Sequence, residues 1–229
     1  MQLNNSKSDK TTAHYQDFIN DVRPHRKDQW LSIFHQISEP MCLADVHSVL
    51  EFGPGRGLTG AILRHYGIEY FAVDVSDRLC KPDAVSTISE FETEKTYDMV
   101  SAFQALEHNP PETFVPHLQK MAALSNRYVF VSLPWSGRWI SYNISLHLPR
   151  INKTLSRVLS WPRTRSIIRP VEKYRTSETP FAHHWFEIGD SGFKEHDVAR
   201  MAKEIDLSLI KTYHTGSFPF HIFFLFEKT

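Results

Sequence analysis

Residues 49–60 read Val-Leu-Glu-Phe-Gly-Pro-Gly-Arg-Gly-Leu-Thr-Gly, an apolar segment that leads through a glycine-rich loop into a helix-forming stretch. Four glycines fall within eight residues, with Gly53, Gly55 and Gly57 at alternate positions and Gly60 beyond them. Without a Cβ the backbone can turn tightly and let a ligand approach closely. A plain turn after a strand needs no such density. Glu51 adds a carboxylate at the end of the strand, where open α/β sheets bind their ligands.

Beyond this run the chain keeps alternating. Residues 47–52 predict a strand, 58–65 a helix, and 70–73 a strand ending in Asp74, with Gly67 breaking the chain between them. Further strands are predicted over 84–88, 97–103 and 127–133, with helical sequence over 111–124. Such alternation predicts a parallel sheet covered on both faces. Two late strands, 207–213 and 220–226, are joined by a short turn and predict an antiparallel pair. Ahead of the sheet, residues 1–46 form a helical segment. It has a short helix over 15–22, then Pro24, then a helix with Trp30, Leu31, Phe34 and Ile37 on one face. Such a segment covers a sheet edge or closes over a pocket. The main domain is 47–229, with an inserted cap over about 135–192, where the alternation lapses. Within the cap, Ile151, Leu155, Val158 and Leu159 fit one face of a short helix, with Arg150, Lys153 and Arg157 beside it.

Composition excludes several classes. The 229 residues suffice for one sizeable core, and 41% hydrophobic with 23% charged residues is ordinary for a globular chain. Basic and acidic residues number 26 each, and no nucleic-acid-binding module is recognisable. Cys42 and Cys80 are the only cysteines, which excludes a disulfide framework and a Cys-rich metal centre. The 13 histidines are scattered without an HExxH pattern. The polar amino terminus lacks the apolar core of a signal peptide, and no apolar run can span a bilayer. The expectation is a soluble, cytoplasmic protein.

Two cofactors compete for the glycine loop. Residues 55–60 satisfy GxGxxG, and Asp74 stands about where that dinucleotide fingerprint places its ribose-binding acid. That reading makes the chain an NAD(P)-dependent oxidoreductase. Three ordered segments favour another. Glu51 with Gly53, Gly55 and Gly57 completes E-x-G-x-G-x-G. Tyr97-Asp98-Met99-Val100-Ser101-Ala102-Phe103 then leads into Gln104-Ala105-Leu106-Glu107-His108, and Tyr128-Val129-Phe130-Val131-Ser132-Leu133-Pro134 follows. Over roughly residues 47–134, and more loosely 185–227, the chain resembles the class I S-adenosylmethionine-dependent methyltransferase superfamily.

The resemblance implies an α/β fold: a Rossmann-like, seven-stranded, mostly parallel sheet with helices on both faces and an antiparallel C-terminal strand. It implies S-adenosylmethionine as cofactor. Glu51 and the backbone of Gly53, Gly55 and Gly57 would hold the amino-acid end of that donor. Asp74 would accept from both ribose hydroxyls, since an ionised carboxylate accepts two donors at once. Phe103 and Gln104 would line the pocket near the methionine portion. Where many members carry an acid that contacts the adenine amine, this chain has Ser86, Thr87 and Ile88, so the Thr87 hydroxyl or the backbone takes that place. Asp74 also fits a helix-capping role, which Ser76 fills equally well.

Methyl transfer from a sulfonium is an in-line displacement, and holding the acceptor near the methyl carbon supplies much of the acceleration. The acceptor is a small molecule methylated at oxygen, nitrogen or carbon, and no metal is required. A base is needed only where the acceptor must lose a proton; His108, His183 and His184 are the candidates. The same residues also read as ordinary junction and loop histidines. Residues 150–175 hold eight basic side chains against one acid, Glu172. Such a concentration attracts phosphate, carboxylate or an anionic membrane surface, and Trp161 suits interfacial docking. It points to an anionic acceptor or peripheral membrane contact, with a solvated face as the plain alternative. A catalytically silent relative that binds a partner through this insert is a further alternative.

Overall fold

The computed structural model describes residues 29–161, 184–190, 192–216 and 218–229. Helix α1 (Gln29–Cys42) precedes β1 (Ser48–Phe52), α2 (Leu58–His65), β2 (Glu69–Asp74), β3 (Ala84–Val85) and β4 (Tyr97–Phe103). Two 3-10 turns, Leu106–His108 and Pro111–Thr113, lead into α3 (Phe114–Leu124) and β5 (Ser125–Pro134). Then come β6 (Arg138–Leu148), β7 (Ile151–Trp161), α4 (Glu195–Lys203), β8 (Leu207–Thr215) and β9 (Phe218–Lys228). The helix expected over 15–22 lies outside the described residues.

Seven strands form one sheet in the order β3-β2-β1-β4-β5-β9-β8. Strands β1 to β5 pair in parallel, while β9 runs antiparallel to both β5 and β8. This is the mostly parallel sheet with an antiparallel C-terminal strand that the sequence predicts. The chain builds outward from β1 to β3, then returns to lay β4 against the other side of β1. The loops leaving β1 and β4 therefore diverge, opening a crevice at the carboxyl ends of these two strands.

Strand periodicity divides the core into two layers. Along β1, Leu50 and Phe52 join one cluster and Val49 the other; along β4, Val100 and Ala102 oppose Met99 and Phe103. Ile222, Phe224 and Phe226 of β9 face the first layer, Phe223 and Leu225 the second. Successive side chains leave a strand on opposite faces, so a strand buried on both sides is apolar at most positions, with Glu51, Ser101 and Ser132 as buried exceptions here. Residues from α3 and α4 cover the first layer, while Leu63 of α2 and Ile37 of α1 pack on the second.

Two expectations are corrected. Residues 151–159 form no helix; they are strand β7, paired antiparallel with β6 from Arg138↔Trp161 to Leu148↔Ile151. The helical spacing of Ile151, Leu155, Val158 and Leu159 competes with period-two alternation, and alternation wins because β6 supplies matching partners. Ile140 opposes Leu159, Ile144 opposes Leu155, and Leu148 opposes Ile151, with Tyr142–Arg157 and Leu146–Lys153 between them. Val158 points to the other face. Pro149 and Arg150 make the two-residue turn, with Arg150 at φ 73°. In α1, Trp30, Leu31 and Phe34 are exposed, not buried, and only Ile37 of that set turns toward the core. Polar anchors fix the rotation of the helix. Ser32 Oγ lies 2.6 Å from His221 Nδ1, Thr59 Oγ1 donates to Gln36 Oε1 at 3.0 Å, and Lys211 and Tyr213 both donate to Glu39.

Gly60 sits where α2 crosses Tyr70 of β2. A Cβ there would lie 2.2 Å from the Tyr70 ring. Gly60→Ala is expected to destabilise the fold by about 1–3 kcal/mol through overpacking, despite alanine's better helix propensity. Urea unfolding checks this, and an unchanged midpoint would refute it.

Candidate active site

The glycine loop leaves β1 at the point where the strand order reverses. Gly53, Gly55 and Gly57 all adopt left-handed backbone conformations, with φ of 71°, 55° and 70°. L-residues with side chains enter this region at a cost. At Gly53 a Cβ would also come within 2.8 Å of Ala105 Cβ, just beyond β4. Gly53 N donates to Val73 O (2.8 Å) and Gly57 N to Pro54 O (2.9 Å), so these two amides hold the loop itself. At Gly55 a Cβ would meet nothing within 4 Å. That is the open stretch of the loop.

Glu51 lies beneath the loop and is buried, with Oε2 accepting from the Tyr70 hydroxyl at 2.6 Å. Burial pushes its pKa up to about 8, the Tyr70 hydrogen bond opposes that, and the nearby Asp74 carboxylate adds to it. Asp74 ends β2 half-buried and accepts from Ser76 N at 3.2 Å. Burial raises its pKa too, while the amides of Ser76 and Val75 lower it. Strand β3 stops at Val85, short of the predicted 84–88. Thr87 is exposed, and its hydroxyl holds the following turn by donating to Glu90 Oε2 (2.9 Å) and accepting from Glu90 N (3.2 Å).

At the end of β4 the neighbouring side chains diverge. The Phe103 ring turns into the core, 5.2 Å from Phe130, which leaves its main chain for the crevice wall. Gln104 stands at φ 53°, unusual for a residue with a side chain. With its carboxamide nitrogen facing the acceptors, Gln104 donates to His221 Nε2 (3.2 Å) and Glu107 Oε1 (3.3 Å). Its oxygen then accepts from Leu133 N (3.2 Å) and Ser132 Oγ (3.3 Å). Gln104 thereby clamps β4, β5 and β9 together, and His221 continues the network to Ser32 of α1.

Glu107 is wholly buried, and burial pushes its pKa up to about 7, with His184 opposing the shift. Segment 184–190 returns across the strand ends: Trp185 N donates to Glu107 O (2.8 Å) and Ile188 N to Pro134 O (2.8 Å). These bonds bring His184 against His108, with ring centroids 5.2 Å apart. Glu187 Oε1 lies 2.9 Å from His184 Nδ1. His183 lies outside the described residues. The structure thus brings His108 and His184 together at β4. Sequence reasoning missed Tyr70, His221, Ser32 and Glu187. Of these, only Glu187 carried a signal, its spacing of three from His184.

A family model described as a methyltransferase domain matches residues 22–174. The chain belongs to this family. No curated protein sequence matches it. Among solved structures, the methyltransferase domain is similar to magnesium protoporphyrin IX methyltransferase from Synechocystis PCC 6803 with bound SAM. The identity is 14%, covering 98% of this chain and 93% of that one at a TM-score of 0.57. It also resembles 1,6-didemethyltoxoflavin-N1-methyltransferase from Burkholderia thailandensis, at 14% identity over 100% and 92% of the two chains and a TM-score of 0.53. N-methyltransferase NodS from Bradyrhizobium japonicum WM9 matches at 10% identity over 93% and 97%, with a TM-score of 0.55. At such identities the likeness is one of fold. Among the described residues, no helix is long and apolar enough to cross a membrane.

A carboxyl whose pKa is raised by folding keeps its proton in the native state after the unfolded chain has released it. For Glu51 this holds between 4.5 and about 8, so its contribution makes stability fall as pH rises through that window. Thermal melts at about pH 5 and pH 8 should show a steeper loss for the wild type than for Glu51→Gln. Parallel pH profiles would disprove the burial effect.

Proposed function

We propose that this methyltransferase domain transfers a methyl group from S-adenosylmethionine to a small molecule. The observation that carries the reading is the left-handed glycine loop at the switch point, with Asp74 at the tip of the adjacent strand. Glu51 and the open backbone around Gly55 take the amino-acid end of the donor, and Asp74 takes the ribose hydroxyls. Thr87 and its backbone lie at the adenine end, while the main chain of Phe103 and the clamped Gln104 wall the methionine portion. His108 and His184 stand on the acceptor side. The displacement forms the acceptor–methyl bond as the sulfur–methyl bond breaks, and sulfur keeps the electron pair.

Calorimetry with S-adenosylhomocysteine and with NADH tests the donor. The expected result is binding of the former alone; binding of the dinucleotide alone would replace the reading with a dehydrogenase. Asp74→Ala should weaken S-adenosylhomocysteine binding about 10- to 100-fold, in line with a charge-assisted hydrogen bond of about 1.5–3 kcal/mol. Unaltered affinity would remove Asp74 from the site.

The β6–β7 ribbon supports a finer reading, docking on an anionic lipid surface. Ile144, Leu146, Leu148, Leu155 and Leu159 are each more than 40% exposed on one face. Contiguous exposed apolar surface of this kind marks an interaction site. Lys153 and Arg157 share the face, and the eight basic residues of 150–175 fix the sign of the partner. Each cation near such a surface contributes about 1 kcal/mol, screened by salt. The protein should sediment with phosphatidylglycerol vesicles and be released by salt. Leu146→Ser with Leu155→Ser should abolish that association. Equal partition onto phosphatidylcholine vesicles, or a dimer that hides this face, would refute it.

A further inference from the structure

We propose that Glu107, His108 and His184 form a binding site for a divalent transition-metal ion beside the donor pocket. One ligand atom from each residue, a carboxylate oxygen and two imidazole nitrogens, lies within 4.8 Å of the other two. Metal–ligand distances of about 2.0–2.2 Å in tetrahedral geometry place the ligand atoms of one ion about 3.3–3.6 Å apart, so each must move inward by less than about 1 Å. Sub-ångström side-chain adjustment therefore closes the set.

The state of Glu107 independently points to a ligand. Its side chain is entirely buried, and Oε2 has no hydrogen-bond partner, although Oε1 faces the Gln104 amide. Native structures rarely leave a buried carboxylate oxygen unmatched, because its lost hydration is not replaced. A cation between Glu107 and the two imidazoles supplies that match. Glu187 serves as an orienting partner. Its carboxylate, 2.9 Å from His184 Nδ1, holds that ring in place, as carboxylates beside metal-bound imidazoles commonly do.

Two imidazoles and one carboxylate suit zinc, iron, cobalt or manganese, and three protein ligands leave coordination positions open. Glu107 follows Ala105, the residue against Gly53 of the donor loop, so those positions lie beside the donor crevice. Resting on the donor reading above, this names the acceptor class as a hydroxyl compound. Bound to the ion, the hydroxyl loses its proton to water more readily. The resulting oxyanion forms the O–CH3 bond while the S–CH3 bond breaks and sulfur retains the pair. The metal-free chemistry expected from sequence is replaced by one in which His108 and His184 hold the ion.

The test uses the full chain stripped with a chelator and titrated with Co2+, followed by its visible absorption. One ion per chain is expected, with His184→Ala and the His108→Ala/His184→Ala double variant losing it. Glu187→Gln, which keeps all three ligands, should weaken Co2+ binding about 10- to 100-fold. Thermal melts of the histidine variants confirm folding. Stoichiometric binding that survives the double variant, or no binding by the wild type, overturns the site. Calorimetry with S-adenosylhomocysteine on the stripped protein separates the two readings: its failure sinks the donor assignment and leaves the metal result standing.

Discussion

The approach of Gly53 to Ala105 is the contact on which the crevice depends. It joins the loop after β1 to the loop after β4, the two segments that diverge where the strand order reverses. A side chain at position 53 would push Ala105 away and carry Gln104, Glu107 and His108 with it. Glycine at that position therefore couples the loop after β1 to the residues that follow β4. The left-handed backbone there reinforces the requirement, since few other residues adopt it cheaply.

Two buried carboxylates flank this joint, and they differ in how they are satisfied. Glu51 accepts a short hydrogen bond from Tyr70, a partner fixed by the tight crossing of α2 at Gly60. Glu107 meets the Gln104 amide at Oε1, while its Oε2 has no hydrogen-bond partner among the described residues. Burial raises the pKa of both. Taking such groups out of water costs stability unless a partner compensates them. The clamp through Gln104 and His221 to Ser32 ties helix α1 to the same joint, which makes the N-terminal segment part of the site's support.

The insert follows the same physical logic on the surface. Apolar residues recur at alternate positions of β6, and Ile140, Ile144 and Leu148 meet apolar partners on β7, while Tyr142 and Leu146 lie opposite Arg157 and Lys153. The ribbon is a two-stranded sheet separate from the main one, and its apolar face remains in contact with solvent. The helix suggested by four apolar positions was a local reading that ignored the partner strand. Rotation of α1 was misread for a related reason. Its aromatic residues set the apparent apolar face, but polar contacts of Ser32 with His221 of β9, of Gln36 with Thr59 of α2 and of Glu39 with Tyr213 of β8 decided its orientation.

Strands β6 and β7 and helix α4 were not legible in the sequence, whereas the order of the elements over residues 48–134, the parallel sheet, the glycine loop and Asp74 at the end of β2 were. Each rests on local backbone preference or on alternation within a few residues, which a linear chain displays. The meeting of the residues beyond β4 with the later return segment was not. Glu107, His108 and His184 meet through a return segment far along the chain, held by backbone hydrogen bonds to β4 and β5. The sequence by itself determined which residues build the parallel strands and the glycine loop. Only the tertiary structure decided which carboxylates lose their water and which histidines face each other. Burial and long-range juxtaposition belong to the packed chain, and no residue carries them alone.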